Sequence, residues 1–508
     1  MYYNKQNRQR KPILSSFETE QSRSSISQKM PTKTITLARI KNLLLLLFLF
    51  IILYLVVYRP DILEPQLSDS RAASDATVTT SPTTRRHLLF AVASSSGSWS
   101  RRQPYVRLWY SADNSTRALA FLDHAAPDRS SAADPTLPPV AISADTSRFP
   151  YTFPKGLRSA IRVARVVKEA VERAGETSAV RWFVFGDDDT VFFVDNLVKT
   201  LSKYDHDRWY YVGANSEDYE QNVKYSFDMA FGGGGIAISH SLARVLARVL
   251  DSCLIRYAHL YGSDSRVFSC LVELGVGLTH EPGFHQVKSL SYDSYLDMRG
   301  DVFGLLSAHP LSPLLSLHHV DAVEPIFPNM NRAQALEHLF EAVNADPARI
   351  LQQTVCYDHS NQLTVSVAWG YAVQVYVGNQ LLPDLLSLQR TFTPWKRGSN
   401  VDAHFMFNTR EYSREPCKRP VVFFLESIAS DKSSIQSNYV KHVVGNCNRT
   451  NTVKILERIS VFSQKLELDV EEMKSPRRQC CDISPFFNES MVIEIRQCGV
   501  DELISMHL

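Results

Sequence analysis

The run Val180-Arg181-Trp182-Phe183-Val184-Phe185 leads straight into Gly186-Asp187-Asp188-Asp189-Thr190, and apolar sequence resumes at once with Val191-Phe192-Phe193. No other feature restricts the fold as much. A short apolar run closed by glycine reads as a buried strand, and three carboxylates at its C-terminal end repel one another unless a cation sits among them. That edge is where open α/β sheets collect their ligands. A divalent ion placed there can neutralise a diphosphate and stabilise the charge that develops on it as its substituent leaves. The plain alternative is an acidic surface turn, which the buried strand in front of it disfavours.

The flanking sequence alternates in the same way. His87 to Ala93 is a short apolar run entering the turn Ser94-Ser95-Ser96-Gly97, over which a nucleotide can sit. Between Leu157 and Ala174, Leu157, Ile161, Ala164, Val167 and Val171 recur at helical spacing, and Gly175 ends the run. Strand, helix and strand in succession point to an α/β sheet. About 40 residues beyond the acidic turn, Gly232-Gly233-Gly234-Gly235 stands between apolar runs, where backbone without side chains can approach a ligand closely. A helix expected over Ser241 to Tyr257 leads to Tyr261-Gly262-Ser263-Asp264; a loop carboxylate there can accept the proton of an attacking hydroxyl, although alone it reads as a cap or solvated charge. Glu281-Pro282-Gly283-Phe284-His285 offers an imidazole to complete a metal's ligand set, with His309, His318 and His319 as further candidates.

A separate constraint comes from Leu43 to Tyr58, which holds no charge and is flanked by Lys41 and Arg59. Some 17 residues at about 1.5 Å each cover roughly 25 Å, enough for a thin bilayer. Short anchors suit Golgi membranes, with the endoplasmic reticulum as second choice. Basic residues dominate the preceding 41 residues, which holds the N-terminus in the cytosol and puts the remainder in the lumen. A leading polar region of that length is too long for a cleaved signal peptide. None of the eight cysteines precedes Cys253, and their even number suits an oxidising compartment, though their pairing cannot be read from spacing. Asn114, Asn448 and Asn488 begin glycosylation sequons that function only in the lumen. With 55 basic against 53 acidic residues, a nucleic-acid partner is disfavoured.

These features divide the chain into a disordered cytosolic tail (1–41), a transmembrane anchor (42–58), a Ser/Thr/Pro-containing stem (59–86), an α/β unit (87–330) and a C-terminal unit (331–508). In the last, a helical stretch over Arg332 to Val343 gives way to period-two alternation at Leu363 to Trp369 and Val373 to Tyr376, which predicts a β-rich extension. It holds six of the eight cysteines and no catalytic constellation.

Taken in order, RWFVFGDDDTVFF, MAFGGGGIAIS, HLYGSDSR, ELGVGLTHEPGFHQ and GLLSAHPLSPLLSLHHVD resemble the plant Fringe-like proteins, the group called domain of unknown function 604, within glycosyltransferase family 31. The resemblance covers about Leu88 to Met330, with FNTREYSREPC and PVVFFL similar to the same group's extension. It implies a GT-A fold with a Rossmann-like sheet, a UDP-sugar donor, Mn2+ or Mg2+, and inverting transfer to a glycan or glycoprotein with a β1,3 linkage. On that basis Asp187 to Asp189 form the DxD-type motif, Asp187, Asp189 and His285 hold the metal, and Asp264 is the catalytic base. Ser94, Ser95, Asp187, Asp188 and Gly232 to Gly235 contact the donor, and Arg101 to Trp109 lie near the uridine. Two positions depart from the group: Ser265 replaces a second acidic residue after Asp264, and Lys288 follows the histidine segment. Two other readings compete. Asp187-Asp188-Asp189-Thr190-Val191 also satisfies the DxDxV pattern of aspartyl-phosphate phosphatases, and a non-catalytic glycan-binding or scaffolding protein is compatible with Ser265. Donor sugar, acceptor and oligomeric state are not readable from the sequence.

Overall fold

The computed structural model describes residues 41–42, 44–51, 81–113, 115–125, 134–175, 179–286, 299–393, 404–431, 433–445, 447 and 451–504. The chain divides into two compact units, Met1–Thr80 and Ser81–Leu508. Within the first, residues 41–42 and 44–51 are helical, and the side chains from Leu44 to Ile51 are exposed. No helix among the described residues is long and apolar enough to cross a membrane. Residues 43 and 52–58 of the expected anchor and all of the expected tail before Lys41 lie outside the described residues, as do Lys288, Asn114 and Asn448. Asn488 is exposed in a turn.

The second unit begins with a mixed α/β layer. Its strands are β1 (Leu88–Ala93), β2 (Arg117–Leu122), β3 (Val140–Ile142), β4 (Trp182–Asp187), β5 (Thr190–Phe192), β6 (Tyr211–Gly213), β7 (Ile236–Ser239), β8 (Leu278–His280), β9 (Phe284–Gln286), β10 (Arg299–Gly300) and β11 (Ser316–His318). Seven of them form one sheet in the order β3-β2-β1-β4-β7-β6-β8. Strands β1 to β4 run parallel, β7 is antiparallel to β4 and β6, and β8 is parallel to β6. Alternate residues of β1 serve two different cores, as period two requires. Leu89 and Ala91 meet the amphipathic helices Ser159–Ala174 and His240–Arg256, whereas Leu88, Phe90 and Val92 face the C-terminal half. Gly175, at φ +73°, ends the first of those helices. A three-stranded sheet, β5-β11-β9, stands beside the end of β4. In it His318 pairs with Thr190 on one side and with Gln286 on the other.

Beyond the helix Arg332–Ala345, whose start is fixed by a capping box between Asn331 and Gln334, lies an eight-stranded sheet. It opens with β12 (Gln353–Asp358), β13 (Leu363–Ala368) and β14 (Ala372–Val377), and continues through Val421–Ser430, Ser434–His442, Arg458–Gln464, Ser490–Arg496 and Cys480–Ile483. The two outermost strands of this order are joined by Cys356–Cys481, so the sheet curls until its edges meet. The other disulfides are Cys253–Cys270, Cys417–Cys447 and Cys480–Cys498, and no cysteine is free. Stacked rings of Phe193 and Phe340, 5.6 Å apart, lie within a core that runs through both halves.

Candidate active site

Strand β4 leaves the sheet at Asp187, and the chain turns through Asp188 and Asp189 into β5. Thr190 stabilises the turn: its Oγ1 accepts from the Asp187 N–H at 2.8 Å and donates to the Gly233 carbonyl at 2.8 Å. The three carboxylates then face different ways. Asp187 remains partly exposed at the mouth of a cavity of about 360 Å³. Asp188 is buried, accepting from the hydroxyls of Ser94 and Ser98 at 2.6 Å each and from Arg102 Nη1 at 2.7 Å. Burial raises its carboxyl above the usual range against the pull of Arg102.

Asp189 is fully buried between Arg102 Nη2 at 2.9 Å, His318 Nε2 at 3.2 Å and His319 Nδ1 at 2.6 Å. Burial acts to raise its carboxyl, but the imidazoles of His318 and His319 outweigh it and hold the group well below the carboxylate range. Burial also opposes charge on His318, yet Asp189 and Asp187 push its imidazole up to about 9. Ligand atoms of Asp189, His318 and His319 all lie within 4.8 Å of one another. Both Asp189 oxygens are buried and engaged by ion pairs with Arg102, His318 and His319, so a cation would bind there by replacing the protons of the imidazoles as counter-charge to the carboxylate. One carboxylate and two imidazoles, buried and convergent, fit a divalent ion of borderline softness. His318 Nδ1 meets Gln286 Oε1 at 3.0 Å; an amide oxygen only accepts, so the hydrogen is on Nδ1 and Nε2 is turned to the carboxylates.

Asp264 starts the helix Asp264–Glu273 and reaches the same cavity. Burial, followed by the charge of Asp187, lifts its carboxyl to about 6, against the Ser263 hydroxyl and the Gly232 N–H. The glycines have a packing reason as well as the expected ligand one. A Cβ on Gly233 would fall 2.1 Å from His318 Cε1, and one on Gly232 would fall 2.7 Å from Asp264 Oδ1. The backbone is therefore bare where two candidate side chains lie against it. Gly232 and Gly233 line the cavity, and Gly235 adopts φ +99°, which only glycine takes freely.

Several expected residues lie apart from this group. Ser95 bonds with Ser98 at 2.9 Å and supports the start of the helix Trp99–Arg107; of the two expected serines, Ser94 is the one that bonds the acidic turn. His285 does not join Asp189. Successive residues of a strand face opposite ways, so with Gln286 on the site side His285 points behind β9. There its Nδ1 meets Glu217 Oε1 at 2.5 Å and its Nε2 meets His309 Nε2 at 2.7 Å. The candidate ligand imidazoles are instead those of His318 and His319. Ser265 donates to the Tyr261 carbonyl one turn earlier. Arg102, Gln286 and Glu217 had no individual signal in the sequence, because what marks them is the partner each meets across the fold.

Residues 221–481 match the family described as protein of unknown function, DUF604. Two curated relatives are the β-1,3-glucosyltransferases of Mus musculus, 32% identical over 113 residues, and of Homo sapiens, 29% identical over 127 residues. The alignments take in 22% and 25% of this chain and 22% and 24% of those proteins, so the chain spans about a quarter of the length of the relatives it matches. A solved galactosyltransferase, LgtC, in complex with donor and acceptor sugar analogues aligns over 49% of this chain and 94% of its own at 11% identity, with a TM-score of 0.30. An active-site variant of LgtC gives 12% identity and a TM-score of 0.29. Likeness at that level carries no weight for fold or activity. The family match takes in just over half of the 508 residues, and the chain belongs to the DUF604 family.

Proposed function

We propose that the cavity beside Asp187 is the active site of an inverting, metal-dependent glycosyltransferase of GT-A type, which moves a sugar from a UDP-sugar to a hydroxyl of a glycan or glycoprotein. The observation that carries this reading is the buried convergence of Asp189, His318 and His319 next to two further carboxylates, Asp187 and Asp264, on one cavity. A divalent cation, Mn2+ or Mg2+, bound by Asp189 and His318 with His319 or Asp187 would neutralise the diphosphate of the leaving nucleotide. Asp264 is the base: with its carboxyl at about 6 it is mostly ionised at neutral pH yet close enough to that pH to take a proton efficiently. The hydroxyl it deprotonates attacks the anomeric carbon as UDP departs, without a covalent intermediate. Gln286 keeps Nε2 of His318 directed at the carboxylates, and Arg102 fixes Asp188 and Asp189 in place.

The same proposal includes Fringe-like β1,3 transfer and a Golgi location with residues 42–58 as a single-pass anchor. Four disulfides and the basic excess before residue 42 support the compartment. UDP-glucose is the first donor to test, given the two glucosyltransferases among the relatives. Purified protein should bind UDP only when Mn2+ or Mg2+ is present, and should hydrolyse or transfer at least one UDP-sugar. Asp264→Asn should lower turnover by about 10²–10⁴-fold with UDP binding kept, whereas His318→Ala should remove the metal-dependent part of UDP binding itself. UDP binding indifferent to metal would overturn the reading.

A further inference from the structure

A second cavity, about 690 Å³, opens on the seam between the α/β layer and the C-terminal sheet. It is nearly twice the size of the one beside Asp187 and falls within the range of about 300–1,000 Å³ usual for ligand sites. One wall carries Lys203, Tyr204 and Glu281, and the other carries Met473, Arg477 and Arg478. We propose that this cavity is a separate binding site for an acidic oligosaccharide, whose anionic group is received by Arg478. The saccharide part of the proposal rests on the transferase reading above; the anionic part does not.

The charges decide the sign of the ligand. Lys203, Lys474, Arg477 and Arg478 line the cavity against two carboxylates, Glu281 and Glu472. Glu281 is already engaged by Lys203 and by the Tyr204 hydroxyl, and Lys474 is paired with Glu471. Arg477 is held by the carbonyls of Gly499 and Glu502. Arg478 is different. Its Nη1 donates to the Gln353 carbonyl at 3.1 Å and to Gln353 Oε1 at 3.4 Å, while Nε and Nη2 have no partner among the described residues. Burial lowers its guanidinium to about 10, and no nearby carboxylate offsets the effect. A partly buried cation without a counter-charge favours an incoming anion, and a guanidinium edge matches the two oxygens of a carboxylate or the oxygens of a sulfate.

The remaining lining suits a sugar ring. Leu311, Pro313, Leu466, Leu468 and Met473 give apolar surface for C–H faces, among polar groups that can orient hydroxyls. Cys498 in the lining is tied to Cys480 by a disulfide. Glu281 precedes Gln286 by five residues, so at most ~17 Å of chain separates this cavity from the one beside Asp187.

Calorimetric titration of the full chain, without UDP-sugar or metal, tests the proposal with three probes: a tetragalacturonate, a sulfated heparin tetrasaccharide and neutral maltotetraose. At least one acidic probe should bind ten-fold or more tighter than maltotetraose. Which of the two wins identifies the anionic group. Arg478→Gln should weaken that probe by ten-fold or more, and Asp189→Asn should leave it unchanged. Should Arg478→Gln fail to fold, the exposed Glu472→Lys serves instead and should tighten the acidic probe several-fold at low salt. Equal affinity for the neutral probe, no binding of either acidic probe, or no response to these substitutions overturns the proposal. A protein that transfers sugar but ignores acidic probes sinks this inference alone; one that binds them through Arg478 but shows no metal-dependent UDP binding sinks the transferase reading alone.

Discussion

Glu217, His285 and His309 admit one arrangement of protons. His309 Nδ1 lies 3.0 Å from the Pro310 carbonyl and must donate to it. Burial keeps that ring neutral, so its Nε2 accepts from His285 Nε2. His285, also held neutral by burial at about 4, then presents a bare Nδ1, and Glu217 has to supply the hydrogen between them. Glu217 is accordingly a neutral acid, its carboxyl raised by burial from 4.5 to about 8. A raised carboxyl contributes stability that is fully present below pH 4.5 and is lost as pH rises through about 8. Glu217→Gln keeps the donor without the titration. Wild-type protein should therefore lose on the order of a few kcal/mol relative to this variant between pH 5 and 9, measured as diverging melting temperatures. The candidacy of His285 was visible in the sequence, as was that of His318. Which imidazole meets the aspartates was not, because it depends on the face of β9 that each neighbouring residue occupies.

Between β9 and β11, backbone pairing sets side-chain chemistry. The register that places His318 opposite both Thr190 and Gln286 carries its ring to Asp189 on one side and to an amide acceptor on the other. The glycine run closes the arrangement from above. Gly233→Ala puts a methyl group 2.1 Å from His318 Cε1, and either the ring or the turn has to move. This variant should lose about 1–3 kcal/mol of stability from overpacking. It should also lose metal-dependent UDP binding by at least ten-fold, read by titration with Mn2+. Helices and strands such as 159–174, 182–187 and 363–368 were legible as elements, since their periodicity is local. The pairing of β5 with β11, more than 120 residues apart, has no local signal.

Across the whole molecule, the curled C-terminal sheet and the α/β layer share one core, and the seam between them forms the second cavity. Cys356–Cys481 closes 125 residues of chain and joins the two edges of the eight-stranded sheet. Replacing both cysteines by serine should cost about 4–5 kcal/mol through the entropy returned to the unfolded chain. Melting should fall by roughly 5 °C, since the loss is spread over the large unfolding entropy of the unit from Ser81 to Leu508, followed by calorimetry. Because the seam depends on this sheet, binding at Arg478 should weaken in the same variant before the metal site does, a comparison made by titrating both sites at a temperature where the variant stays folded.

By itself the sequence determined the alternation of apolar strand and amphipathic helix, the placing of three carboxylates at a strand end, and the β-rich character of the C-terminal half. These follow from patterns spanning a few residues, which local chain geometry translates directly into elements. Only the tertiary structure decided that Arg102 and two imidazoles share Asp189, that His285 faces away, that eight cysteines pair as they do, and that a seam cavity exists. Each is a meeting of segments distant along the chain, and spacing along the chain carries no record of which distant groups come within 3 Å.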